Sequence, residues 1–220
     1  MHDTQIEVPI PDRVAAGRSL ARLLEKYRGR ADALVLALPR GGVPVAWEIA
    51  RALDLPLDLM LVRKLGMPGH EEYAMGAIAS GGVRVLNTDA LRYAHVDAAT
   101  LERVTASQQQ ELDRRECVYR AGRPLPELRG RQVLLVDDGL ATGSTMRAAV
   151  QAVRQQAPAR IVLVAPVASN EALAMLAPMV EETVCPLVPP YLSSIGEWYA
   201  DFAQTSDAQV QELLRLAWAR

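Results

Sequence analysis

Six apolar runs recur along the chain, at Ala33 to Leu38, Leu57 to Val62, Val83 to Leu86, Gln132 to Val136, Arg160 to Val167 and Thr183 to Val188, and most are continuous rather than alternating. A strand that is apolar on both faces has to be covered on both faces, which a largely parallel sheet between two layers of helices achieves. Helix-like stretches fall between the runs, at Arg13 to Tyr27, Pro44 to Leu53, Ala98 to Ala121, Ser144 to Ala157 and Asn170 to Leu176. That alternation predicts βαβ units, hence an α/β fold with a largely parallel central sheet of about five strands flanked by helices.

Two segments fall outside this rhythm. Residues 66–82 carry Gly66, Pro68, Gly69, Gly76, Gly81 and Gly82 with charges between them, a texture that reads as a long mobile loop or lid. Residues 189–220 bring Tyr191, Trp198, Tyr199 and Phe202 into a short stretch and read as a small helical cap. With 220 residues, the chain is expected to be one domain that carries both as a small hood.

Half of the residues are hydrophobic, 23% are charged, and the formal net charge is -2. No global field of that size draws a protein to nucleic acid or to an anionic membrane, so neither is an expected partner. The two cysteines, Cys117 and Cys185, lack metal-ligand spacing. No apolar run reaches the roughly 18 residues that a membrane span needs, and the first residues lack a signal-peptide pattern. The expected location is cytoplasmic.

The run Val133 to Val136 ends in Asp137 and Asp138, followed by Gly139, Leu140, Ala141, Thr142, Gly143, Ser144 and Thr145. Two carboxylates at the end of a buried strand cost several kcal/mol in desolvation unless cations or hydroxyl donors meet them. In open α/β sheets that partner is a ligand bound at the C-terminal strand ends. The turn that follows supplies small residues, hydroxyls and a helix N-terminus, the parts that hold a phosphate monoester without a lysine. Carboxylates for a sugar diol beside a nest for a phosphate describe a ribose 5-phosphate site. The same stretch also reads as a strand, an Asx turn and a capped helix without ligand, although one cap does not require all of these residues.

VLLVDDGLATGST resembles the signature of type I phosphoribosyltransferases, which bind 5-phosphoribosyl 1-diphosphate (PRPP), and its Leu-Ala-Thr-Gly stretch is similar to that of the adenine-specific members. The resemblance implies that Asp137 and Asp138 hold the ribose hydroxyls and that Ala141, Thr142, Gly143, Ser144 and Thr145 hold the 5-phosphate. Arg40 and Gly41, in the turn after the first apolar run, resemble the diphosphate loop of that family. Arg63 and Lys64 resemble its basic strand end, with Lys64 expected to assist catalysis. Further similarity, in LPRGGVPVA, VRKLGMPGHEEYAMGAI and PYLSSIGEWYADFAQTSD, extends over nearly the whole chain and points to a bacterial group of phosphoribosyltransferases whose acceptors are little defined. The implied reaction moves the phosphoribosyl group to a nitrogenous base with release of diphosphate. Mg2+ is the implied cofactor, reached by Asp137 and Asp138 indirectly through ribose hydroxyls or water, and a homodimer is the implied assembly.

Three features bear on the acceptor. Members acting on 6-oxopurines carry an aspartate where this chain has Ala141, which argues against hypoxanthine and guanine. Glu71 or Glu72 stands where the adenine-specific enzymes carry a glutamate that acts on the base, and Glu71 is the candidate acid or base here. Tyr191 and Trp198 are candidates for stacking on a flat acceptor, or equally for pinning the cap to the core. The alternative to an enzyme is a PRPP-binding regulatory protein, which would keep the same acidic pair and turn.

Overall fold

The computed structural model describes residues 6–94 and 96–220, with the side chains of 71–73 left out of the description. The first strand, β1 (Ala33–Ala37), lies between β2 (Leu57–Leu59), at one edge of a five-stranded sheet, and the central β6 (Gln132–Val136), with β7 (Arg160–Val164) and β8 (Glu182–Val184) beyond. Every pairing in this sheet is parallel. Alternate residues of the apolar runs go to opposite faces. Val35, Leu134, Val136 and Val162 pack into one core with α1 (Arg13–Leu23), α2 (Gly42–Leu53) and α7 (Asp207–Trp218). Leu34, Leu36, Val133, Leu135 and Leu163 pack into another with α5 (Ser144–Gln155) and α6 (Asn170–Leu176). The continuous runs are therefore covered on both sides, as their pattern requires.

Residues 66–82 differ from the expected loop. β3 (Val62–Met67) and β4 (His70–Ala79) form an antiparallel hairpin, and β5 (Val83–Leu86) adds to β4, making a second three-stranded sheet. The glycines have strand and turn duties. Gly69 takes φ +79° in the Pro68–Gly69 turn, and a Cβ on Gly76 would come within 2.2 Å of the Val85 carbonyl oxygen, so β5 pairs closely only because Gly76 has no side chain. The buried side chains of Met75, Ala77, Ile78 and Ala79 hold the hairpin down. The sheet packs on α5, while α4 (Ala98–Arg120), preceded by the short α3 (Thr88–Tyr93), packs against β3 and β4.

The C-terminal stretch is less helical than expected up to residue 206, with one 3-10 turn at Ile195–Trp198 before α7. Ile10 and Tyr199 form a β-bridge that ties the beginning of the described chain to this segment. No helix among the described residues is long and apolar enough to cross a membrane.

Candidate functional site

The strand order β2-β1-β6-β7-β8 reverses direction between β1 and β6, since the chain proceeds outward from β1 to β2 but from β6 through β7 to β8 on the other side. A crevice opens at the C-terminal ends of two strands where winding reverses in this way. The Pro39–Gly42 turn follows β1 there, and Asp137–Thr145 follows β6. The two turns touch. Leu38 N donates to Val136 O at 2.8 Å, and a Cβ on Gly41 would lie 1.8 Å from Asp138 Oδ2. Gly42 is similarly close, its Cβ position being 2.8 Å from Val136 O.

The two aspartates occupy different environments. Asp138 Oδ2 lies 2.8 Å from Arg13 Nε, and both side chains are largely enclosed, at 15% and 11% exposure. Arg13 also donates through Nη1 to Ala203 O at 2.7 Å, and its guanidinium stands 4.0 Å from the centre of the Phe202 ring. Tyr199 donates its hydroxyl to Asp138 O at 2.7 Å. Asp137 accepts from Asp138 N at 2.9 Å, and burial together with the neighbouring Asp138 charge pushes its carboxyl well above the usual carboxylate range. In its charged form it would need a hydroxyl donor or a cation from outside to offset that burial and repulsion. Arg13 contacts the acidic pair although the sequence reading did not single it out.

The Ala141–Thr145 turn is held from behind. Ser169 Oγ donates to Ala141 O at 2.7 Å and accepts from Ala172 N at 3.0 Å, so one hydroxyl both caps α6 and fixes the turn. Leu140 N donates to Val167 O and Ser169 N to Leu140 O, completing the clamp. Gly143, at φ +70°, leads into α5. Neither α5 nor α2, whose N-cap is Gly41, has a side-chain cap, whereas α1, α4, α6 and α7 are capped by Asp12, Asp97, Ser169 and Ser206. Two helices thus bring the positive ends of their dipoles to either side of the acidic pair. At α2, Gly42 N and Val43 N already donate to Leu38 O and Arg40 O and Pro44 has no N–H, so the open backbone donors belong to α5. Thr142, Ser144 and Thr145 are exposed at one of them.

The basic candidates are distributed over two places. Arg40 is half-exposed, with Nη1 3.6 Å from Asp207 Oδ1, an oxygen that also accepts from the Tyr119 hydroxyl at 2.5 Å. Arg63 Nε donates to Gln108 Oε1 on α4 at 3.0 Å. Arg63 and Lys64 line a cavity of about 620 Å3 between β3, α4 and Thr145. The side chains of Glu71 and Glu72 lie outside the described residues. Of the stacking candidates, Tyr191 is 91% exposed, while Trp198 packs against the core with its indole nitrogen enclosed and without a hydrogen-bond partner. No group of three His, Cys, Asp or Glu among the described residues comes together to hold a metal ion.

A family model for the phosphoribosyl transferase domain matches residues 9–177. Proteins from two strains of Mycobacterium tuberculosis, each provisionally named a phosphoribosyl transferase, are 45% identical over 203 residues, covering 92% of this chain and 46% of theirs. The chain therefore spans about half the length of the curated relatives it matches. The crystal structure of TT1426 from Thermus thermophilus superposes with a TM-score of 0.83 at 45% identity, covering 92% of this chain and 96% of that one. The AQ2163 protein of Aquifex aeolicus shares the fold at 13% identity and a TM-score of 0.50, over 92% of this chain and 84% of its own.

Proposed function

The chain belongs to the phosphoribosyl transferase family, and on that premise we propose that it transfers the 5-phosphoribosyl group of PRPP to a nitrogen of a base with release of diphosphate. The observation that carries this reading is the desolvated Asp137 carboxylate, set between the two uncapped helix N-termini at the point where the winding of the sheet reverses. In this reading the ribose hydroxyls donate to Asp137 and Asp138, and the 5-phosphate takes the open donors and hydroxyls of Ala141–Thr145. Arg40, Gly41 and the N-terminus of α2 face the diphosphate. Arg63 and Lys64 stand at the edge of the same crevice, with Lys64 assigned to the leaving group. Glu71 keeps its assignment as acid or base on the acceptor.

Catalysis then rests on holding the ribose while the leaving group is stabilised, and on excluding water from a cationic ribosyl centre. Mg2+ fits these residues as a cation held mainly by substrate oxygens, because the acidic pair offers carboxylates without forming a complete protein cage. When bound it neutralises charge on the departing diphosphate. Asp137 and Asp138 would orient the ribose diol. The cavity adjoining Thr145 gives room for an acceptor, which a protein that only senses PRPP does not need, and this favours the enzyme over the regulator.

Calorimetric titration with PRPP and Mg2+, followed by diphosphate release across a panel of bases, tests the proposal. Binding that is lost in Asp137→Asn together with release for at least one base is the expected result. An absence of PRPP binding to the unaltered protein would overturn it.

A further inference from the structure

The terminal stretch PYLSSIGEWYADFAQTSD lies beyond residues 9–177 of the family match and carries none of the groups assigned above to PRPP. Its backbone runs alongside the entry to α1. Ile10 N donates to Trp198 O and Ala200 N to Ile10 O, both at 2.8 Å, and Asp201 N donates to Pro11 O at 3.0 Å. Asp201 Oδ1 accepts from Ala203 N at 2.9 Å, which fixes the turn that follows, while Asp12 caps α1 through Ala15 N. Residues 10–13 and 198–203 thus form one hydrogen-bonded unit, in which neither segment can slide past the other.

Two side chains leave this unit for the same residue. Arg13 Nε reaches Asp138 Oδ2 at 2.8 Å, and the Tyr199 hydroxyl donates to Asp138 O at 2.7 Å. The carboxylate and the main chain of Asp138 are therefore held separately, one by a cation and the other by a neutral donor. Both holders are themselves fixed. The Tyr199 ring is buried 4.9 Å from that of Phe202, and the Arg13 guanidinium, 4.0 Å from the Phe202 ring centre, also donates to Ala203 O. Ile195 of the same terminal stretch packs on Gly139, where a Cβ would meet its Cγ2 at 2.5 Å, so the chain immediately after Asp138 is covered as well. The Gly41 backbone closes on Oδ2 in its turn, leaving the carboxylate little freedom to rotate.

We propose that Tyr199 and Arg13 are positioning residues of the ribose site, acting on the diol through Asp138, and that segment 198–203 is thereby a working part of PRPP binding. The proposal rests on the assignment of Asp138 to the ribose hydroxyls. A site that binds by preorganised hydrogen bonds tolerates errors of only about 0.5 Å in the place of its acceptors. Loss of the Tyr199 hydroxyl releases the Asp138 peptide, and loss of Arg13 releases the carboxylate. Neither side chain has to touch the ligand for its removal to weaken binding. A Tyr199 that only pinned the C-terminal segment to the core would do so through its ring, and PRPP would be indifferent to its hydroxyl.

The test measures the Kd for PRPP with Mg2+ by calorimetry, at a temperature where circular dichroism shows each chain folded, for the unaltered protein and for Tyr199→Phe, Arg13→Lys, Arg13→Met and Val210→Ala. Val210 is buried in α7 and belongs to none of the contacts with Asp138, so its truncation loosens the C-terminal region and spares the clamp. Tyr199→Phe is expected to raise the Kd about 5- to 10-fold, the worth of one neutral hydrogen bond, and Arg13→Met about 10- to 100-fold, that of one to a charged group. Arg13→Lys keeps the charge but lacks the planar fork that serves Asp138 and Ala203 together, and falls between the unaltered protein and Arg13→Met. Val210→Ala lowers the melting temperature and leaves the Kd unchanged. A Kd unmoved in Tyr199→Phe, or a rise in Val210→Ala as large as that in Tyr199→Phe, would overturn the positioning role and leave the PRPP site standing. Failure of the unaltered protein to bind PRPP would instead overturn the ribose assignment on which the role rests.

Discussion

Arg13, the first residue of α1, places its Nε 2.8 Å from Oδ2 of Asp138, 125 positions away along the chain. The same guanidinium is fixed by the Ala203 carbonyl and the Phe202 ring, so one side chain joins the first helix, the acidic pair and the C-terminal segment. Removing it leaves the Asp138 carboxylate in a largely enclosed place without its cation. Arg13→Met should therefore cost about 3 kcal/mol of stability, at the lower end for breaking a buried pair. The further change Asp138→Asn should recover a substantial part of that loss. Urea unfolding of the two single variants and the double variant gives the coupling directly.

Asp137 predicts an effect of opposite sign. A carboxyl whose folded pKa is raised above its ordinary value of 3.8 keeps its full contribution to stability below that value and loses it as pH rises through the folded pKa. The unaltered protein should thus lose stability on going from about pH 4 toward neutrality on this group's account, and Asp137→Asn should remove that loss. The variant should melt at a higher temperature than the parent at pH 7 and close to it at pH 4, while no longer binding PRPP. Binding by the parent should weaken as the pH falls through the Asp137 pKa, because ribose hydroxyls donate to the ionised form. Thermal melts and PRPP titrations at a series of pH values check both signs.

The parts of the molecule that were legible in the sequence are those whose chemistry is local. Val133 to Thr145 contains a strand, its terminal carboxylates and a glycine turn into a helix within one short stretch, so residue types and spacing sufficed to place those elements. The continuous apolar runs declared a parallel sheet for the same reason. The hairpin of β3 and β4 was hidden because Gly69 and Gly76 act as turn former and close-approach residue inside strands, whereas a cluster of glycines in sequence reads as loop. Arg13 was hidden by distance along the chain. The face of α4 bearing Arg103, Ser107 and Gln108 reads as a solvated helix surface, and only its placement opposite β3 makes it the wall of a cavity.

Arg120, the last residue of α4, is buried at 3% exposure with Nη1 2.9 Å from Asp58 Oδ1, an ion-pair contact outside hydrogen-bond angles, and Nη2 donating to Leu59 O. Burial raises the pKa of Asp58 despite that cation, so the carboxylate depends on Arg120 to offset its desolvation. Arg120→Met should cost about 3–5 kcal/mol by leaving Asp58 buried without its ion-pair partner. Asp58→Leu in the same chain should return most of it. Chemical denaturation, with far-ultraviolet circular dichroism to follow α4, measures the loss and the recovery.

Gly41 supplies a prediction that separates sterics from backbone strain. At φ -62° and ψ -32° its backbone is acceptable to any residue, so alanine brings no conformational penalty there. Its Cβ would nevertheless arrive 1.8 Å from Asp138 Oδ2 and 2.5 Å from Cγ, contacts that require the carboxylate to move. That carboxylate is held by Arg13, so the methyl group of Gly41→Ala must break the ion pair or displace the turn after β1. Overpacking of this kind costs about 1–3 kcal/mol, and the displaced carboxylate should lower PRPP affinity at least about tenfold. Asp138→Ala in the Gly41→Ala background removes the clash and should recover part of the stability without recovering binding. If Gly41→Ala leaves both the melting temperature and PRPP titrations unchanged, the close contact between the two turns does not exist in solution.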